Sequence, residues 1–239
     1  MTNEEFSNGM DTLLNSYGSA AGFGDQASVS ELVLDEYEKS LFLTEAQESL
    51  VQALYAGEAI GNESYEETER LRRYLSTLNM EDNIEPTTPS NTGIDGNVKF
   101  FKLPEDLWFI TYESIKAVSD EECWDGKYIK VIPARQDWYH RQKGNPFRGP
   151  SKRRALRIDS SDDLVEIVYP LDIDFYYIRY VRKPRPIVLE NLPNGLEVNG
   201  VSYYSSCELH SALHKLILNN AVALALRSRG IYNTGNKEQ

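Results

Sequence analysis

Cys207, His210 and His214 follow the pattern C-x2-H-x3-H. On a helix the two histidines stand one turn apart on the same face, a geometry zinc can use. A fourth ligand is missing from the neighbouring sequence, and no acid stands where a zinc hydrolase needs its base. A cysteine near a helix start beside two histidines is therefore the plainer reading. The third histidine, His140, lies in Gln136–Lys143 close to Asp137, which could suggest an acid/base pair. No nucleophile and no phosphate-cradling glycine loop accompany it. The carboxylate runs Asp120-Glu121-Glu122 and Asp162-Asp163 lack the alternating ligands of a calcium loop. From these residues we expect a protein that is not an enzyme, with no catalytic residue, no cofactor and no metal.

The strongest local cluster is basic. Arg148-Gly-Pro-Ser-Lys-Arg-Arg154 follows Asn145-Pro-Phe147 and precedes Arg157, with Trp138 and Tyr139 just upstream. Trp138, Tyr139, Phe147, Arg148, Lys152, Arg153, Arg154 and Arg157 form the candidate subunit or partner interface. Phosphates of nucleic acid could pair with the bases while the aromatic rings of residues 135–157 stack on nucleobases. Acidic helices of a neighbouring subunit could use the same charges, with Phe147 as an apolar anchor. A solvated basic loop without a partner is the third reading. Two prolines restrict the loop and lower the entropy cost of docking.

Charge is sorted along the chain. Met1–Ile129 carries 26 acidic against 8 basic residues, Lys130–Arg185 carries 7 against 13, and Pro186–Gln239 carries 4 against 4. The net charge is −12, and the pI of about 4.8 argues against a freestanding DNA-binding protein. Opposite charge on different segments favours ordered head-to-tail assembly of copies over random association. With 239 residues, 41% of them hydrophobic, the chain can bury a substantial core. No run approaches the roughly 18 apolar residues of a membrane span, and the N-terminus lacks a signal-peptide pattern. Two cysteines, Cys123 and Cys207, are too few for a disulfide framework, so we expect free thiols and a reducing cytosol as the place of assembly.

The elements that must position these groups are legible as periodicities. Residues 1–27, rich in Gly, Ser and Asn, read as a flexible tail. Capping boxes at Ser28–Glu31, Thr44–Gln47 and Ser64–Glu67 predict three helices within residues 28–78. Leu50 and Leu54 face inward on the second, which Gly57 stops, and Leu71 and Leu75 face inward on the third. Residues 79–97 read as a linker. From residue 98 to 204 the pattern turns extended, with strands at Val98–Leu103, Leu107–Val118, Tyr128–Ile132, Ala155–Asp159, Leu164–Tyr169 and Phe175–Arg182. Asn194-Gly195 suggests a tight hairpin turn. A fourth capping box, Ser205–Glu208, predicts a final helix over 205–230 carrying Leu213, Leu216, Ile217 and Leu224, with Gly230 at its end and a tail over 231–239. The expected fold is α+β: a helical bundle from both chain ends with an inserted antiparallel β domain, either a sandwich or a small barrel.

Several stretches also carry a resemblance. Asp35–Gln47, Asn145–Arg148 leading to Arg154–Asp159, Tyr177–Ile187 and Glu208–Ala225 resemble virion proteins of tailed phages of Bacteroides and its relatives, the crAss-like phages in particular. The resemblance covers most of residues 30–230. It implies a head–tail connector or ring protein of the virion, assembled in the host cytoplasm. Such proteins stack as twelve-subunit rings below the portal, extend the DNA channel and offer a platform for the tail. The implied partners are other copies, the portal protein, further tail or ring proteins, and genomic DNA passing without sequence-specific contact; no membrane is implied. The family offers no catalytic residue to carry over. A ring built from one repeated heterologous contact needs two different complementary surfaces per subunit, which sorted charge can supply. Acidic groups facing the lumen would keep DNA phosphates from sticking.

Overall fold

The computed structural model describes residues 1–20, 33–57, 69–88, 93–96, 98–161, 163–193 and 195–229. The chain divides into two compact units: Asn79–Lys183, and the flanks Met1–Leu78 with Pro184–Gln239.

The first unit is a single curled sheet. Its strands are β1 (Asn79–Ile84), β2 (Pro86–Thr87), β3 (Val98–Lys102), β4 (Leu107–Val118), β5 (Tyr128–Pro133), β6 (Ala155–Asp159), β7 (Leu164–Val168) and β8 (Asp172–Arg182). They lie in the order β1-β8-β4-β5-β6-β7-β3-β2, and β2 also approaches β8, so the sheet nearly closes into a barrel. Three register shifts along the long β4–β8 pair help bend it. Alternate side chains fill the interior, among them Phe101, Ile115, Val131, Ile167, Tyr176 and Ile178.

Two expectations are corrected here. The stretch read as a linker contains β1 and β2: Asn-Met-Glu-Asp-Asn-Ile pairs with β8 through its backbone, and only Ile84 of β1 is buried. A polar edge strand leaves no hydrophobic alternation to read. The sheet is also not wholly antiparallel, because β5 and β6 run parallel. Parallel neighbours require a crossover. Here it is residues 134–154, which hold the short helix α4 (Tyr139–Lys143) and the basic run.

The second unit contains α1 (Asn3–Ala20), α2 (Glu36–Ala56), α3 (Glu69–Tyr74) and α5 (His214–Ser228). The expected tail is helical over Asn3–Ala20. Phe6, Met10 and Leu14 recur at every fourth residue and are fully buried. Gly9 lies where a Cβ would come 2.9 Å from Leu218 Cδ2, so it permits close approach of α1 to α5. Two predicted helices merge into one continuous α2. Its capping box is formed by Asp35 and Glu38, and Gly57 ends it in a left-handed conformation (φ 78°). The boxes at Ser28–Glu31 and Ser64–Glu67, and Gly230, lie outside the described residues. Thr44 does not cap; it sits mid-helix and faces inward.

That inward face explains how the chain's end is held. Ser40, Thr44 and Gln47, spaced at helical repeats, meet alternate residues of an extended segment. The Ser40 hydroxyl accepts from Leu189 N at 3.0 Å, Thr44 exchanges hydrogen bonds with Ile187 N and O, and Gln47 Nε2 donates to Arg185 O at 2.8 Å. From α1, Asn3 Nδ2 donates to Val188 O and Ser205 O. Ser205 pairs its backbone with Val188 in both directions, so it cannot open a helix. The final helix instead begins at His214, after a tight turn at Ser211–Leu213. Between these arms the tight turn is Asn199-Gly200, with positive φ at both residues and Val198 and Val201 exchanging hydrogen bonds. The predicted turn included Asn194, which lies outside the described residues.

α1 and α2 from one side of the chain and α5 from the other pack against one another. Lys39, buried on α2, ties α1 on: its ammonium donates to Ser7 Oγ, Asp11 Oδ2 and Glu36 Oε1 at 2.8–3.0 Å. Burial opposes its charge, but the carboxylates outweigh burial and raise its pKa above 10.5. Leu50, Leu54, Leu71, Leu75, Leu213 and Ile217 are all buried. Leu224 is half-buried. Leu216, expected to pack, is 42% exposed.

Candidate assembly surface

The crossover positions the basic cluster by splitting its two upstream aromatics. β6 turns Leu156 and Ile158 to the side opposite Ala155, where with Val168 of β7 they receive Tyr139 of α4. Tyr139 is thus core, not interface: its ring pins α4 to the sheet and its hydroxyl donates to Asp95 Oδ2 at 2.6 Å. The Lys143 ammonium also pairs with Asp95. Lys143, then Tyr139, hold the Asp95 carboxyl at about 2 against an ordinary 3.8. Trp138, one residue earlier, points away and is 51% exposed, with the Arg141 guanidinium 5.1 Å from its ring centroid.

Beyond α4 the chain makes a compact loop around Gly149. Gly149 N donates to Asn145 O at 2.7 Å, Asn145 Oδ1 accepts from Phe147 N, and Arg154 Nη1 donates to Phe147 O. A Cβ on Gly149 would meet Lys143 O at 2.7 Å and Asn145 O at 2.9 Å. The loop is consequently braced by its own backbone, and it displays Phe147 with 83% of its surface exposed.

The basic residues divide. Arg148 and Arg153 are exposed and, among the described residues, their side chains make no ion pair. Lys152 pairs with Glu121 at 2.7 Å, and Arg154 serves the loop as above. Arg157 is withdrawn from the surface: its side chain is 12% exposed, bonded to Glu113 Oε2 and Asp159 Oδ1 at 2.9 Å each. Tyr176 donates to the same Glu113 oxygen at 2.6 Å. Burial works against the Arg157 charge, yet Glu113 and its neighbours raise its pKa, while burial foremost raises that of Tyr176. Of the expected surface residues, Trp138, Phe147, Arg148 and Arg153 are exposed, Lys152 and Arg154 partly so, and Tyr139 is buried.

The histidine and cysteine groups have other duties. Cys207 Sγ donates to Gln47 Oε1, and burial lifts its pKa to about 11. His210 Nδ1 accepts from Ala212 N. His214 Nε2 bonds Leu209 O, and burial lowers its pKa. No group of three metal-ligating side chains occurs among the described residues. Asp137 forms a bidentate pair with Arg135 rather than with His140.

Sequence reasoning missed a second feature, in the helical unit. α2 and the turn residue Asn199 border an open groove of about 420 Å³, lined in part by Glu38, Leu41, Phe42, Glu45 and Glu48. Asn199 Nδ2 donates to Glu48 Oε1 at 2.7 Å and so fixes the turn over the helix. The Asn-Gly pair at 199–200 was the available signal for this wall.

The braced loop thus carries an exposed aromatic and two arginines that, among the described residues, make no ion pair. The profile of the phage tail ring protein 3/4 family matches residues 1–238, and the chain belongs to that family. It is a phage ring protein, a structural component of the virion. It is 45% identical over 241 residues, covering the whole of both chains, to Ring protein 3 of Bacteroides phage crAss001. Ring protein 4/5 of the same phage is 30% identical over 235 residues, covering 94% of this chain and 92% of that one. The nucleic-acid reading of residues 135–157 gains no support, since Tyr139 and Arg157 are turned inward. No helix among the described residues is long and apolar enough to cross a membrane.

Proposed function

We propose that the chain acts without catalysis as the repeating subunit of a closed ring in the portal–tail neck. It docks below the portal, extends the DNA channel and presents a platform for tail attachment. The observation that carries this reading is the braced loop that exposes Phe147 and carries Arg148 and Arg153, which make no ion pair among the described residues. Exposing such a ring costs roughly 2 kcal/mol of transfer free energy, which a partner recovers by covering it. One repeated contact between unlike surfaces, with the right rotation per step, closes a ring, and twelve copies is the number the family resemblance implies. The other contacts are the portal and further tail or ring proteins, with DNA sliding past unbound.

The helical unit suits the rigid part of such a ring, and we read α1, α2 and α5 as a bundle contributed by both chain ends. Leu50, Leu54, Leu71, Leu75, Leu213 and Ile217 are its internal packing. Light scattering at rising concentration tests the proposal: the full chain should form a discrete high-order species, and Phe147→Asp should reduce it at least tenfold at unchanged stability. Monomers at every concentration, with no copies in particles, would sink it.

A further inference from the structure

We infer that the groove between α2 and the Asn199-Gly200 turn is the receptor for the Phe147–Arg148 loop of a second copy of this chain. The inference rests on the ring reading above and supplies its missing second surface.

The two features match in chemistry. The groove, at about 420 Å³, has the volume of a small-ligand pocket, enough for a phenyl ring. Leu41 and Phe42 give it an apolar wall, and Leu41 is exposed at its mouth. Glu38, Glu45 and Glu48 surround that wall. Glu48 is bonded to Asn199, and Glu38 to its capping partner, Asp35 N, and to the Arg229 guanidinium at 3.5 Å. Glu45 is exposed and, among the described residues, has no ion-pair partner. On the other surface, Phe147 is the most exposed large apolar side chain of the described residues; Arg148 follows it in the chain and Arg153 lies on the same loop, neither with an ion pair among the described residues.

Both features are also held before docking. Backbone hydrogen bonds around Gly149 hold the loop, and Asn199 bonds Glu48 at the rim, so less backbone entropy is lost on contact than with a slack loop. Loop and groove are different surfaces of one chain, which is the arrangement a heterologous, ring-closing contact demands.

The test is a cross-link in the full chain. In a Cys123→Ser background, which removes the exposed native thiol, Pro146→Cys, which keeps the Phe147 ring, and Leu41→Cys are combined and the assembled oligomer is mildly oxidised. The expected result is a ladder of covalent multimers at least tenfold above either single-cysteine control. As a second readout, Arg148→Glu should reduce assembly at least tenfold and adding Glu45→Arg should restore it. Rings that form normally without a ladder or charge-swap rescue overturn this docking and leave the ring reading standing. Failure of the unsubstituted chain to assemble at all overturns both.

Discussion

Thr44 and Ile187, 143 positions apart, exchange two hydrogen bonds: the hydroxyl accepts from the Ile187 amide at 3.1 Å and donates to its carbonyl at 3.3 Å. One side chain thus does for an extended segment what a neighbouring strand would do. Thr44→Val keeps the shape but leaves a buried donor and acceptor unpaired, at about 1–3 kcal/mol for each group. Urea denaturation should show that loss, and Thr44→Ser should retain most of the stability.

Arg157 is a structural charge, withdrawn from the surface, whereas Arg153 is exposed and is the charge we propose for docking. Arg157→Met strands Glu113 beside Tyr176, and breaking a buried pair from one side costs about 3–5 kcal/mol. Arg153→Ala, on the exposed loop, should leave the midpoint of unfolding unchanged yet weaken assembly severalfold. Equal stability losses in the two variants would contradict the division of roles.

How far the sequence told this in advance depended on the kind of signal. Strands β3 to β8 were visible because buried aromatic and β-branched residues alternate through them. β1 was not, because an edge strand satisfies its backbone without apolar side chains. α1 was hidden by the Gly-, Ser- and Asn-rich composition of residues 1–27, although Phe6, Met10 and Leu14 carried a readable stripe. For the surface, composition marked the basic run but could not tell Trp138 from Tyr139 or Arg153 from Arg157. That sorting comes from strand alternation at Leu156 and Ile158 and from the parallel β5–β6 crossover, which are long-range facts.

Gly149 offers a test of the loop's bracing. The added methyl of Gly149→Ala would press on Lys143 O and Asn145 O, which are backbone atoms with no rotamer to yield. The loop must shift, at a cost of about 1–3 kcal/mol. Assembly should fall at least tenfold, although neither a charge nor the aromatic anchor has been removed. Wild-type assembly in this variant would show that the loop's shape is irrelevant.

Asp95 sets an acid limit on the sheet unit. Its folded pKa, about 2, lies below the ordinary 3.8, first through Lys143 and then Tyr139. The folded state therefore binds this proton less tightly than the unfolded chain. The stabilisation is complete above about pH 4 and disappears as the pH falls through about 2. Asp95→Asn should flatten the pH dependence of stability across that window, as followed by denaturation at fixed ionic strength. An unchanged slope would place the acid sensitivity elsewhere.

Cryo-microscopy of assembled particles tests the central claim most directly. The account predicts a closed annular layer in the neck, with the Phe147 loop of each copy at the seam with the next. A map that places this polypeptide outside any annulus, or leaves that loop facing open solvent away from every subunit boundary, would contradict it.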